Sequence, residues 1–107
     1  MLRMRLEGEG FEALVAANGL RLLSSLRIDR PDLILLDVMM SWIDGLELCQ
    51  ALKKNPEFAR IPIFIISGRA SKSDVERGYH CGCTDYFAKP LDFPYLVLRI
   101  RQVIGET

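Results

Sequence analysis

The run Ile61-Pro62-Ile63-Phe64-Ile65-Ile66 is apolar on both of its alternating faces, and this constrains the fold more than any other feature of the chain. Side chains of a strand point alternately to opposite faces, so a strand without a polar face must be covered on both sides. Such strands belong to the interior of parallel sheets flanked by helices. The flanking pattern agrees, because apolar runs of strand length alternate with stretches of helical period and no segment repeats.

In order, residues 2 to 8 read as the end of a helix, with Leu2 and Leu6 on one face and Gly8 and Gly10 as its stop. Phe11 to Ala17 reads as a short strand, and Asn18-Gly19 as a turn into an amphipathic helix over residues 20–30, closed by Pro31-Asp32. The strand Leu33-Ile34-Leu35-Leu36 ends in Asp37. A loop over residues 38–45 follows, whose Asp44-Gly45 leads into a helix that carries Leu46, Cys49 and Leu52 inward and stops at Asn55-Pro56. The strand Ile61 to Ile66 ends in Ser67. A polar stretch, Arg69 to Asp74, enters a weaker helix interrupted by Gly78. Tyr86-Phe87-Ala88 ends in Lys89-Pro90, after which Asp92 caps a last helix with Phe93, Leu96, Val97, Ile100 and Ile104 facing the core.

An acid, a hydroxyl and an amine thus stand at the carboxyl ends of three strands. Open parallel sheets place their chemistry along that edge. Asp37 is a costly residue to place at the end of an apolar strand, and a lone Asp there would be read equally well as a turn cap. Its company favours chemistry: Lys89 can act as a point charge against a phosphoryl oxygen, and Ser67 can donate a hydrogen bond to another.

Composition excludes more than it proposes. The 107 residues fit one domain spanning 1–107, and 14 basic residues balance 14 acidic ones. That balance offers no electrostatic grip on nucleic acid or on a membrane surface. It also leaves self-association unopposed by charge. The apolar runs fall short of a membrane span and the charged start does not suit a secretory signal, so a cytoplasmic location is expected. Three cysteines do not suggest a disulfide framework. His80, Cys81 and Cys83 could form half of a metal site, with Cys49 as a sequence-distant fourth ligand, but small-residue packing before a buried strand is the better reading. With one histidine, no nucleophile elbow and no glycine-rich phosphate loop, a free-standing enzyme has little support.

Taken together, these residues resemble the receiver domain of two-component response regulators. The stretch from Asp37 to Asp44-Gly45 is similar to the family's segment from phospho-acceptor to Asp-Gly. Ile65-Ile66-Ser67-Gly68 resembles the strand ending in the switch Ser or Thr, and Asp85-Tyr86-Phe87-Ala88-Lys89-Pro90 the final strand with its aromatic and Lys-Pro. Ser41, where the family usually has proline, and Gly68, in place of a common alanine, are mild departures.

The resemblance implies a flavodoxin-like open parallel sheet with helices on both faces. It also implies that Asp37 accepts a phosphoryl group from a histidine kinase or phosphotransfer protein. Ser67 and Lys89 would bind the phosphate, Tyr86 would turn inward with the switch, and Pro90 would follow a cis bond. Asp37 and the backbone carbonyl of Met39 would contribute to a Mg²⁺ site.

The family's first strand, which ends in the acidic pair that holds the metal, precedes the helix of residues 2–8 and is not found here. Glu7 and Glu9 would lie at the opposite sheet edge. A weak or absent Mg²⁺ site is therefore expected, with phosphoryl transfer impaired. The alternative is a phosphorylation-independent interaction or dimerisation domain. The sheet would be reduced by pairing the Phe11 strand with the Leu33 strand, or completed between chains. A third possibility is that Met1 is an internal methionine of a longer protein. A homodimer is the favoured expectation.

Overall fold

A computed structural model describes residues 2–11, 30–37 and 42–105. The chain divides into two compact units, Met1–Pro31 and Asp32–Thr107.

In the first unit, helix α1 spans Leu2–Gly8. Its end is closed by Gly10 N–H to the Glu7 carbonyl at 3.0 Å and Phe11 N–H to the Leu6 carbonyl at 3.2 Å. Gly10 has φ 92°, so the glycine stop works through a left-handed residue that closes a Schellman-type end. Of the expected strand, Phe11 has no strand assignment and 12–17 lie outside the described residues, as do the Asn18-Gly19 turn and positions 20–29 of the helix.

The second unit is built on strands β1 (Ile34–Asp37), β2 (Ile63–Ser67) and β3 (Asp85–Ala88), in the order β1-β2-β3 with both pairings parallel. Helix α2 (Trp42–Lys54) lies between β1 and β2 in the chain, α3 (Lys72–His80) between β2 and β3, and α4 (Phe93–Ile104) follows β3. β2 is the central strand and is buried at all five positions, as its two-faced apolar run requires. Leu46, Cys49 and Leu52 of α2 and Leu96, Val97 and Ile100 of α4 are buried as well. Phe64 and Phe87, neighbours on β2 and β3, meet with ring centroids 5.1 Å apart.

Several boundaries differ from the sequence reading. β2 begins at Ile63 rather than Ile61, because Pro62 has no N–H and instead accepts from Ile34 N–H at 2.9 Å. α2 begins at Trp42, so Asp44-Gly45 lie in its first turn and do not form a separate turn before it. The buried Gly45 is accommodated there, near a helix start where few hydrogen bonds depend on it. α2 stops at Lys54, and the Asn55 Oδ1 accepts from Glu57 N–H at 2.9 Å in the turn that Pro56 enforces. Gly78 does not interrupt α3, which continues through it to His80. Ile104 is half-buried rather than a core residue, as the last helical position before the left-handed cap Gly105, φ 86°.

Candidate phosphoryl-acceptor site at the strand ends

Register brings the three strand ends together. Asp37 pairs with Ile66, which places it beside the residue preceding Ser67, and Ser67 pairs with Ala88, the residue preceding Lys89. Lys89 N–H donates to the Ser67 carbonyl at 2.9 Å, extending the pairing by one residue. Asp37, Ser67 and Lys89 therefore share one edge of the sheet. Of Asp37 only the backbone is described, and Met39 and Ser41 lie outside the described residues.

Ser67 is the one buried polar side chain of the described core, 2% exposed. Its Oγ accepts from Arg69 N–H at 3.0 Å, which satisfies one of its acceptor positions and leaves the hydroxyl hydrogen available for donation. The Lys89–Pro90 peptide bond is cis. Lys89 itself is exposed at the edge.

Tyr86 is half-buried on β3, and its hydroxyl donates to the carbonyl of Arg69. Its ring lies against Gly78 of α3. The Arg69 guanidinium reaches Asp74 Oδ1 at 3.4 Å, and Ser71 caps α3 in a reciprocal box with Asp74. The loop from Ser67 to Ser71 is thus joined to β3 and α3 by side-chain hydrogen bonds. Sequence reasoning missed Gly78 and Arg69. The only signal was a glycine inside a helical pattern, which suggests a packing reason without naming the partner.

The cysteines do come together. Cys49 Sγ donates to the Cys81 carbonyl at 3.7 Å, and burial, reinforced by neighbouring thiols, pushes the Cys49 thiol up to about 11 and the Cys83 thiol up to about 12. All three are free. Among the described residues no group of three or more His, Cys, Asp or Glu side chains is placed to hold a metal ion.

The chain belongs to the response regulator receiver domain family, whose match covers residues 1–101. Among curated relatives it is 40% identical over 102 residues to the transcriptional regulatory protein CseB of Streptomyces coelicolor, covering 95% of this chain and 42% of that protein. It is 35% identical over 106 residues to the polar-differentiation response regulator DivK of Brucella anthropi, covering 99% of this chain and 86% of that protein. The chain thus spans less than half of CseB and most of DivK.

Solved structures place the fold in the same family. The receiver domain of a signal transduction histidine kinase from Syntrophus aciditrophicus superposes with TM-score 0.85 at 32% identity, covering 97% of this chain and 79% of that one. The chemotaxis protein CheY4 of Vibrio cholerae gives 0.84 at 26%, covering 96% and 86%. The fold is the flavodoxin-like receiver architecture, of which the described strands are three parallel neighbours. Receiver domains act in two-component signalling with histidine kinases or phosphotransfer proteins. Among the described residues no helix is long and apolar enough to cross a membrane.

Proposed function

We propose that this chain is a phospho-accepting signalling module in which Asp37 takes a phosphoryl group from a phosphohistidine of its kinase or phosphotransfer partner. The Asp37 carboxylate oxygen attacks phosphorus, the P–N bond breaks, an acyl phosphate forms, and the imidazole leaves to regain its proton from solvent. Lys89 neutralises one phosphoryl oxygen and Ser67 donates a hydrogen bond to another, the electrostatic positioning on which phosphoryl transfer depends. Tyr86 reports the state of the loop after Ser67. The role is that of a signalling domain, not of a free-standing enzyme, and a cytoplasmic location goes with it.

The observation that carries this reading is the register, which sets Asp37 beside Ile66 and Ser67 beside Ala88 at one sheet edge. Mg²⁺ would be held by Asp37 and the Met39 carbonyl. Incubation with acetyl phosphate across a Mg²⁺ series, read by intact mass, should add one phosphoryl group that is absent in Asp37→Asn. No gain at any Mg²⁺ concentration refutes the reading.

A second reading is a phosphorylation-independent homodimerisation domain without direct nucleic-acid contact. Exposed apolar residues favour it: Tyr79 on α3 and Tyr95 and Leu98 on α4 are 47%, 50% and 51% exposed in a chain of zero formal charge. Its signature is a dimer mass in solution that is identical for the natural chain and Asp37→Asn, with and without acetyl phosphate.

A further inference from the structure

Gly78 is a buried glycine inside α3, where alanine would suit the helix better. A Cβ there would lie 2.5 Å from Cδ2 and 2.8 Å from Cε2 of the Tyr86 ring. Both contacts are below any distance a real Cβ tolerates, so ring and methyl cannot share the space. With the ring seated in that space, the Tyr86 hydroxyl reaches the Arg69 carbonyl, 17 residues earlier in the chain. Arg69 N–H in turn donates to Ser67 Oγ at 3.0 Å.

Packing does little to hold this loop. Gly68, Arg69 and Ala70 are exposed, and a Cβ on Gly68 would meet nothing within 4 Å. Its conformation therefore depends on its hydrogen bonds, and one of these exists only while the Tyr86 ring lies over residue 78.

We propose that Gly78 is a positioning residue of the switch: its missing side chain admits the Tyr86 ring, which ties the Ser67–Arg69 loop to α3 and β3 before any phosphoryl group arrives. The consequence for Asp37 chemistry rests on the function proposed above. The coupling of Gly78 to the loop does not, and is tested without a phosphodonor.

Thermal unfolding of Gly78→Ala, Tyr86→Ala and the double variant forms a double-mutant cycle. Gly78→Ala should lower the unfolding temperature of the natural chain. In the Tyr86→Ala background, where the ring is gone, it should leave that temperature unchanged or raise it. Equal shifts in both backgrounds overturn the proposal. If Gly78→Ala does not fold alone, recovery of folding in the double variant supports the proposal and continued failure overturns it.

Amide exchange over residues 68–71 reads the loop directly. Loss of one net hydrogen bond should speed exchange about two- to tenfold in Tyr86→Phe and in folded Gly78→Ala, with no further gain when the two are combined. Unchanged loop exchange in folded Gly78→Ala overturns the proposal. A failed phosphoryl gain in the acetyl phosphate assay, with these shifts present, would refute the function and leave the Gly78 coupling standing.

Discussion

Ser67 Oγ accepts the amide proton of Arg69 at 3.0 Å, so the strand-end hydroxyl closes the turn that follows its own strand. This makes Ser67 structural as well as available to a ligand. Ser67→Ala should fold and lose about 0.5–1.5 kcal/mol, the net value of one hydrogen bond whose donor can turn to water in an exposed loop. Urea unfolding measures this. A loss several times larger would mean that the hydroxyl supports the core and not the turn.

Asp74 gives α3 a pH dependence of known sign. Hydrogen bonding with the Ser71 side chain foremost, then the Ser71 backbone and the Arg69 guanidinium, holds the Asp74 carboxyl below its ordinary value despite some opposing desolvation. A carboxyl depressed in the folded state contributes stability above its unfolded pKa and loses it as pH falls through the folded value. The natural chain should therefore be more stable than Asp74→Asn near neutrality. The gap should narrow as pH falls below about 4, the unfolded aspartate range. Urea midpoints for both chains between pH 7 and 3 check this, and a constant gap would rule out the carboxylate as its source.

What was legible in the sequence followed from local rules. The two-faced apolar run of Ile63 to Ile66 marked the central strand, and Asp92 announced α4, where its side chain accepts from Tyr95 N–H at 3.1 Å. The strand ends could be placed on one edge because parallel strands share a direction. What stayed hidden depends on partners from other elements. Gly78 looked like a helix breaker until the Tyr86 ring supplied the reason for it, and nothing in the spacing of Asp85 and Arg99 announces that they meet. The start of α2 at Trp42 was equally illegible, since Asp-Gly commonly marks a turn and a helix start tolerates the pair.

That Asp85–Arg99 pair joins β3 to α4. Arg99 Nε donates to Asp85 Oδ2 at 2.6 Å while Nη1 donates to Gln102 Oε1 at 2.9 Å, with the two charged side chains 30% and 17% exposed. One guanidinium serves two acceptors, a geometry that a lysine ammonium does not reproduce. Arg99→Lys should cost about 0.2–1 kcal/mol, the range of a partly exposed pair, and the difference should shrink in 1 M salt. Urea unfolding at low and high salt is the measurement, and a salt-independent loss would assign the effect to packing of the arginine stem.

The thiols should separate sharply in reactivity. The thiolate is the nucleophile, and burial raises Cys49 to about 11 and Cys83 to about 12, whereas Cys81 is only half-buried. Iodoacetamide at pH 8 should alkylate Cys81 first in the folded chain, with Cys49 and Cys83 labelled only after denaturation, as peptide mass mapping will show. The same shifts set a stability trend. Unfolded thiols lose protons near pH 8.5 while the folded ones keep theirs, so the folded state binds more protons and stability falls as pH rises above that value. Cys83→Ala should flatten the decline in urea midpoint between pH 8 and 10. Labelling of Cys83 as fast as Cys81 in the folded chain would show that the segment between α3 and β3 opens to solvent.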